Sequence, residues 1–169
     1  MNVKILNKPP LSGLYDEVKV NINDKSIFVM FEDSDYNDFC GVFGGGATKY
    51  SSATIQNNIA FIVSFGQGYI FNINKRKVMH ITTSEYIQNV NSTGYNNFII
   101  CNDNDEVFVY KNELIWKSGC ISADGIIIDK IDGVIVKGKV NAFTDWEGFT
   151  LDLSSFSYNC SWICELNDD

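Results

Sequence analysis

The stretch NNIAFIVSFGQGYIFNI, residues 57–73, sets the expected architecture because a related stretch, NNFIICNDNDEVFVYKN, follows at residues 96–112. The offset between them is 39 residues (57 to 96), and it aligns apolar positions such as Phe61 with Ile100. Each copy continues into a further strand-like run, KVMHIT or ELIWKS, and a third segment, GIIIDKIDGVIVKGKV, repeats the strand–turn–strand pattern. Repeats of about 40 residues built from short antiparallel strands are typical of propeller blades.

Strand signals dominate the rest of the chain as well. Short runs of β-branched and aromatic residues are separated by Gly, Asn, Asp and Ser, and no window of a dozen residues shows a helical period. A closed propeller needs about four to eight blades, whereas 169 residues leave room for about three blade-like units plus N-terminal strands. We therefore predict an all-β protein, a partial, open β-propeller-like array of small antiparallel sheets, in a single domain spanning residues 1–169.

Composition and net charge indicate which kind of partner this chain would bind. The formal net charge is -8 and the pI is about 4.5. Such a surface repels phosphate backbones and attracts basic proteins, so we expect a basic protein partner and no nucleic acid. The chain shows neither the apolar core of a signal peptide nor a bilayer-spanning run, so we expect a cytoplasmic location and no membrane association. Five cysteines, an odd number, then predict reduced thiols.

The most acidic stretch is FEDSDYNDFCGVFGGG, residues 31–46. The run DSDYND beginning at Asp33 has the acid spacing of an EF-hand, but the sixth position is Asp38 instead of Gly, and the twelfth is Gly44 instead of Glu. The glycines that follow lack the Gly-Lys-Ser/Thr sequence of a phosphate-binding loop. We therefore expect residues 39–43 to form a core strand, with the acids before them in an exposed turn.

Templates for catalysis find little support in the sequence. His80 is the one histidine, so any Ser-His or Cys-His pair would have to use it. Cys160 and Cys164 are spaced C-x3-C without the second pair that a structural zinc site needs. A glycosidase pair requires two carboxylates facing each other across a cleft, whereas several acids in one turn are typical of a solvated rim. We predict no catalytic residues, no metal site, no cofactor and no enzymatic activity.

Charge distribution is the strongest functional signal. Acids without a neighbouring base cluster within residues 31–38 and again within residues 103–106, where the repeat alignment places the turn SFGQ of the first copy. Trp146, in the stretch DWEGFTLDL, suits either a partner contact or a lid on the last sheet. Acidic loops also serve solubility, so charge alone leaves both interpretations open. The candidate partner-binding residues are Glu32, Asp33, Asp35, Asp38, Asp103, Asp105, Glu106 and Trp146.

The phrases GVFGGG, GQGY, LIW and ADGI, spread over residues 27–156, together resemble a family of short bacterial β-proteins of largely unassigned function. The resemblance implies a partial propeller, encoded in some members beside polymorphic-toxin genes. Small acidic β-proteins of this kind are similar to the immunity proteins of contact-dependent growth inhibition systems. Those proteins bind and block a cognate toxin domain, often a basic nuclease, and the resemblance carries over no catalytic residues.

These observations predict an immunity or inhibitor protein that occludes a basic toxin domain in a 1:1 heterodimer. Its carboxylates would take the place of nucleic-acid phosphates in the toxin's active site, and charge complementarity would speed the encounter. The alternative is a carbohydrate- or peptide-binding β module that uses Trp146 and performs no catalysis. A glycan hydrolase with paired carboxylates has the least support, because the sequence shows no nucleophile motif and no metal spacing.

Overall fold

The computed structural model describes residues 2–11, 13–32, 35 and 37–162. Within these residues the chain forms sixteen β-strands and no helix, which confirms the all-β prediction. It divides into two compact units, Met1–Ser92 and Thr93–Asp169, and each is described by itself. The sequence-based expectation of a single domain stays a prediction.

The first unit contains β1 (Asn2–Leu6), β2 (Asp16–Val20), β3 (Ile27–Glu32), β4 (Asp38–Phe43), β5 (Ser52–Gln56), β6 (Ile59–Ser64), β7 (Gln67–Asn72), β8 (Lys77–Ile81) and β9 (Asn89–Ser92). The second contains β10 (Ile99–Asn102), β11 (Val107–Tyr110), β12 (Leu114–Lys117), β13 (Ile126–Asp132), β14 (Ile135–Asn141), β15 (Trp146–Asp152) and β16 (Ser157–Cys160).

The strands form four sheets of four strands each, in the orders β1-β3-β4-β2, β5-β6-β7-β8, β12-β11-β10-β9 and β13-β14-β15-β16. None of these sheets closes into a barrel, and four small sheets are consistent with the predicted open, propeller-like array of blades. The N-terminal strands supply the first sheet, and the three repeat segments supply the others. One pairing departs from the prediction of antiparallel sheets, because β2 runs parallel to β4.

The predicted repeat reappears as an identical strand register. Ile62 of β6 lies opposite Tyr69 of β7, and Cys101 of β10 lies opposite Phe108 of β11. Both residues of the second pair follow those of the first by the same 39 positions. The alignment made from apolar residues therefore matches the actual pairing of the two central strands in each blade.

The same register occurs a third time, in a segment where the sequence showed only a strand–turn–strand pattern. Val140 of β14 lies opposite Glu147 of β15, 39 positions beyond the pair formed by Cys101 and Phe108. The three blades that follow the N-terminal sheet are therefore built on one repeat. Equivalent positions in them can be compared directly.

An aromatic cluster holds the first unit together. Phe71 is fully buried, and its ring centroid lies 5.1 Å from that of Phe31, 5.5 Å from that of Phe43 and 6.1 Å from that of Phe39. These rings come from β3, β4 and β7, so they join the first two sheets across one core. Burial of residues 39–43 confirms the core strand expected after the acidic turn.

The core of the second unit lies between the last two blades. Ile100 and Val109 from the inner strands of one sheet pack in one cluster with Val140 and Phe149 from the next. Apolar side chains on both sheet faces remove surface from water at roughly 25 cal/mol per Å² buried, which is the main stabilising contribution here.

The last sheet presents a different outer face. Phe98 and Ile100 are buried in the core of the second unit, whereas the residues 39 positions later, Lys137 and Lys139, are exposed. Gly148 stands where the preceding blade has Val109. Lysine and glycine at these positions give this face of the last sheet a polar surface where the preceding blade is apolar.

Candidate functional site

Three hairpin turns occupy the same place in successive blades, at residues 64–67, 103–106 and 142–145. The first turn is mostly buried, with Ser64 and Gln67 at most 9% exposed. In the second unit the Asp103 N–H donates to the Glu106 carbonyl. The equivalent bond in the third turn joins the Ala142 N–H to the Asp145 carbonyl. The same turn position is thus filled by residues of different character in the three blades: SFGQ in the first, DNDE in the second and AFTD in the third.

The turn at residues 103–106 is acidic and is shaped by one of its own carboxylates. The Asp103 Oδ1 atom accepts the backbone N–H groups of Asp105 at 3.0 Å and of Glu106 at 2.9 Å. Side chains of Asp at this position commonly fold back on the chain in this way. Asp103 is therefore largely structural, and it fixes the backbone of the exposed Asp105.

The sequence analysis described the acids of this turn as lacking a neighbouring base, and the structure corrects this for Glu106. The Lys117 ammonium on β12 lies 3.1 Å from the Glu106 carboxylate. The Glu106 charge is therefore offset in part, although an exposed pair of this kind contributes little to stability.

A fourth carboxylate joins the turn from outside the repeat. Burial raises the pKa of Asp105, and the negative charges of Asp103, Glu106 and Asp124 raise it further. Asp124 reaches the turn because the Gly125 N–H donates to the Asn104 carbonyl at 2.9 Å. The sequence analysis missed Asp124, whose distance along the chain hid this contact.

Trp146 lies beside the same connection. Its side chain is 48% exposed, and its Cη2 atom lies 3.5 Å from where a Cβ on Gly125 would stand. The Gly125 carbonyl accepts the Asn141 N–H at 3.0 Å, and Asn141 pairs with Trp146 across β14 and β15. Trp146 is thus half exposed, and it stands next to the segment that brings Asp124 to the acidic turn.

Phe143 lies at the tip of the third turn, in the same unit. Its side chain is 79% exposed, and its backbone has a φ of 70°. The Asn141 Oδ1 atom accepts the Phe143 N–H at 2.9 Å, and the ring meets Trp162 edge-on, with centroids 5.7 Å apart. The sequence analysis did not select Phe143. We define the acidic–aromatic surface by its residues, which are Asp103, Asp105, Glu106, Asp124, Phe143 and Trp146.

The other predicted acidic segment belongs to the first unit. Glu32 and Asp38 pair directly across β3 and β4, so two carboxylates share one end of this hairpin. They line a groove that Lys4 also lines, and Asp35 is exposed between them in the sequence. Asp33 lies outside the described residues. The pairing supports an anionic edge, since like charges directly opposite each other are destabilising and are seldom kept for stability.

The cysteines correct the prediction of reduced thiols. Cys40, Cys101 and Cys160 are free, but Cys120 is disulfide-bonded. Burial raises the pKa of the Cys101 thiol well above its ordinary value, so this sulfur is a core packing group rather than a nucleophile. Among the described residues, no group of three or more His, Cys, Asp or Glu side chains could hold a metal ion.

In the described part of the chain, no helix has the length and hydropathy needed to cross a bilayer. No protein-family model matches the sequence, and no curated protein matches it.

Proposed function

We propose that this protein is an immunity-type inhibitor that binds a basic toxin domain through the acidic–aromatic surface and performs no catalysis itself. The observation that carries the proposal is the acidic turn at residues 103–106, whose Asp105 also feels the charge of Asp124, with the half-exposed Trp146 packed beside the neighbouring Gly125. The resemblance of the sequence to small acidic immunity proteins supports the same class of function.

Electrostatics favour a basic partner. Mutual repulsion among the carboxylates helps to raise the pKa of Asp105, so a cation placed beside them would relieve an unfavourable interaction. The net charge of -8 adds a long-range field of the same sign. Such a field accelerates the encounter with a basic protein, and the acceleration falls as ionic strength rises.

The aromatic side chains are proposed to slow dissociation, which surface charge does not do. Surface charges chiefly set the association rate, whereas buried aromatic anchors set the dissociation rate. Trp146 is about half exposed and lies beside Gly125, the residue that follows Asp124. In the proposed complex the carboxylates occupy the phosphate positions of a nuclease active site, and the aromatic side chains exclude water around them.

The acidic segment of the first unit is proposed as a second contact. Its carboxylates, Glu32, Asp35 and Asp38, are partly or fully exposed, and they would add to the attraction for a basic domain. The proposed complex is a 1:1 heterodimer.

The test neutralises charge without disturbing the turn. The triple variant Asp105→Asn, Glu106→Gln and Asp124→Asn leaves Asp103 in place because Asp103 holds the turn. The matched control removes the same charge from exposed acids elsewhere, by Asp24→Asn, Glu113→Gln and Asp129→Asn. The probe is the C-terminal domain of any secreted toxin encoded beside this gene, and the absence of such a neighbour would itself contradict the proposal. The readouts are the association rate against salt and the remaining toxin activity.

We expect the site variant to associate about tenfold or more slowly and to show a flatter salt dependence than the control variant. The site variant should also leave the toxin active at concentrations at which the unmodified chain inhibits it. An association rate that ignores salt, or an equal loss in both variants, would contradict the proposal.

The exposure of Trp146 also favours one alternative, a carbohydrate- or peptide-binding module without catalysis. In that case oligosaccharides or peptides should shift tryptophan fluorescence, and the shift should survive the triple carboxylate variant. The inhibitor proposal expects no such shift with sugars.

A further inference from the structure

We propose that Phe143 is the anchor residue of the acidic–aromatic surface, and that the partner carries an apolar pocket beside its cationic site. This inference rests on the proposed function and deepens it by defining the chemistry of the partner. It adds a residue that neither the sequence pattern nor the charge distribution had pointed to.

The conformation of Phe143 is costly for the folded chain. Its φ of 70° lies in the left-handed region, which is unfavourable for a bulky side chain. Its side chain is 79% exposed, so burial of the ring returns little in compensation. A strained and exposed aromatic residue indicates a role outside the stability of the chain.

The equivalent positions in the other blades sharpen this point. Phe65, 78 positions earlier (65 to 143), also has a positive φ, of 47°, but its ring packs against the core of the first unit. Asn104, 39 positions earlier, occupies the equivalent turn with neither an aromatic ring nor a positive φ. Closing this strand pair therefore requires neither phenylalanine nor a left-handed residue at this position, and Phe65, which has both, uses its ring for packing.

The surroundings of Phe143 hold the ring in one place. The Phe143 N–H donates to Asn141 Oδ1 at 2.9 Å, and the Ala142 N–H closes the turn on the Asp145 carbonyl at 2.9 Å. Trp162 supports one edge of the ring. A side chain fixed before binding loses little conformational entropy on association, which favours its use as an anchor.

The residues next to Phe143 indicate the kind of partner pocket that its ring would enter. Asp145, two residues away, is exposed, and Trp146 follows it on β15. An apolar side chain with the exposed Asp145 two residues away fits a pocket of aliphatic or aromatic residues rimmed by Lys or Arg. A purely polar cationic cleft would leave the phenyl ring in contact with charges and water.

The experiment separates the anchor from the charge. Phe143→Gly removes the ring and relieves the backbone strain. Phe143→Asn introduces the residue of the preceding blade, which tolerates a positive φ better than phenylalanine does. Phe143→Leu keeps an apolar side chain. Tyr86→Ala is the matched control, because Tyr86 is an exposed aromatic residue, at 54%, in the other unit. Binding kinetics are measured with the toxin domain described above, and thermal unfolding is measured in parallel.

We expect the Gly and Asn variants to dissociate about tenfold or more faster, with an unchanged association rate and salt dependence. Their thermal stability should equal or exceed that of the unmodified chain. The Leu variant should recover most of the slow dissociation, and Tyr86→Ala should have no effect.

The outcomes distinguish the two proposals. If the carboxylate variant slows association but the Phe143 variants dissociate at the original rate, the anchor is refuted and the inhibitor function stands. If the Phe143 variants lose binding in proportion to lost thermal stability, the ring is structural and the anchor is also refuted. If neither set of variants changes binding, or no complex forms, the proposed function fails and the anchor fails with it.

Discussion

Two glycines in the last sheet allow a sharp test of the packing. Gly138 lies on β14 opposite Phe149, and Gly148 lies on the neighbouring strand opposite Lys139. A Cβ added at Gly138 would overlap the Ile127 carbonyl oxygen and would stand 2.6 Å from Phe149 Cε1. A Cβ added at Gly148 would meet nothing within 4 Å.

The two alanine substitutions should therefore have opposite signs. Gly138→Ala forces the Phe149 ring or β13 to move, and overpacking of this kind costs about 1–3 kcal/mol of unfolding free energy. Gly148→Ala restricts the unfolded chain without a clash and should raise the unfolding free energy by about 0.4–1 kcal/mol. Urea denaturation of the two variants measures both values, and the expected gap between them is roughly 1.5–4 kcal/mol.

A double variant tests the assigned cause. Shortening the ring by Phe149→Leu should make Gly138→Ala less destabilising than it is beside phenylalanine, because the two residues contact each other and their effects are not additive. The reasoning is refuted if Gly138→Ala is as stable as the unmodified chain, or if both alanine substitutions are equally destabilising.

Two further predictions concern the acidic turn and its support. Ser118→Ala should lower the unfolding free energy by about 1–3 kcal/mol in thermal or urea denaturation, because the buried Val107 N–H donates to Ser118 Oγ at 3.0 Å. Ser118→Thr should lower it much less, because threonine keeps the hydroxyl. Thr82 accepts the equivalent backbone N–H, that of Gly68, in the preceding blade. Asp105→Asn should be more stable than the unmodified chain at pH 7 and lose this advantage towards pH 4, measured by urea denaturation across that range. The pKa of Asp105 is raised in the folded chain, so its contribution to stability is fully present below the unfolded pKa and is lost as pH rises through the folded pKa. An advantage of the Asn variant that is constant with pH would contradict this cause.

The repeat made much of the fold predictable from the sequence. The spacing of apolar residues such as Phe61 and Ile100 predicted the blades, and it also matched their strand register. A register shifted by one residue would turn every apolar side chain to the opposite face, so the pattern determines the pairing strongly. The third unit was recognised as a strand–turn–strand pattern, but its 39-residue register was not aligned, because Lys137 and Lys139 replace the apolar residues that mark it in the second copy.

The partner of β2 could not be read from local sequence. Its alternation of polar and apolar residues predicts a half-buried strand but says nothing about which strand it joins. In the structure β2 lies parallel to β4, and the Gly44 N–H continues the contact by donating to the Val20 carbonyl. Such a pairing depends on the path of the chain between the strands, which no periodicity encodes.

The candidate site was predicted in part. The acidic turn at residues 103–106 and Trp146 were selected from charge and residue type, and the structure places both in the second unit. Asp124 and Phe143 were missed for different reasons. Asp124 joins the cluster through a backbone bond formed at a distance along the chain, and Phe143 reads as one more apolar residue in a chain with twelve phenylalanines.

The three equivalent turns explain how a repeat can carry a site without losing its fold. Each turn closes the same strand pair, so the strands keep the register while the turn residues are free to differ. The first turn is buried and is used for packing, the second gathers carboxylates, and the third exposes a phenyl ring. The second and third turns close adjacent sheets that share one core, and the Gly125 N–H ties the segment that carries Asp124 to the second turn. Divergence at one position of the repeat therefore places carboxylates on one turn and an exposed phenyl ring on the next, while the strand register is kept.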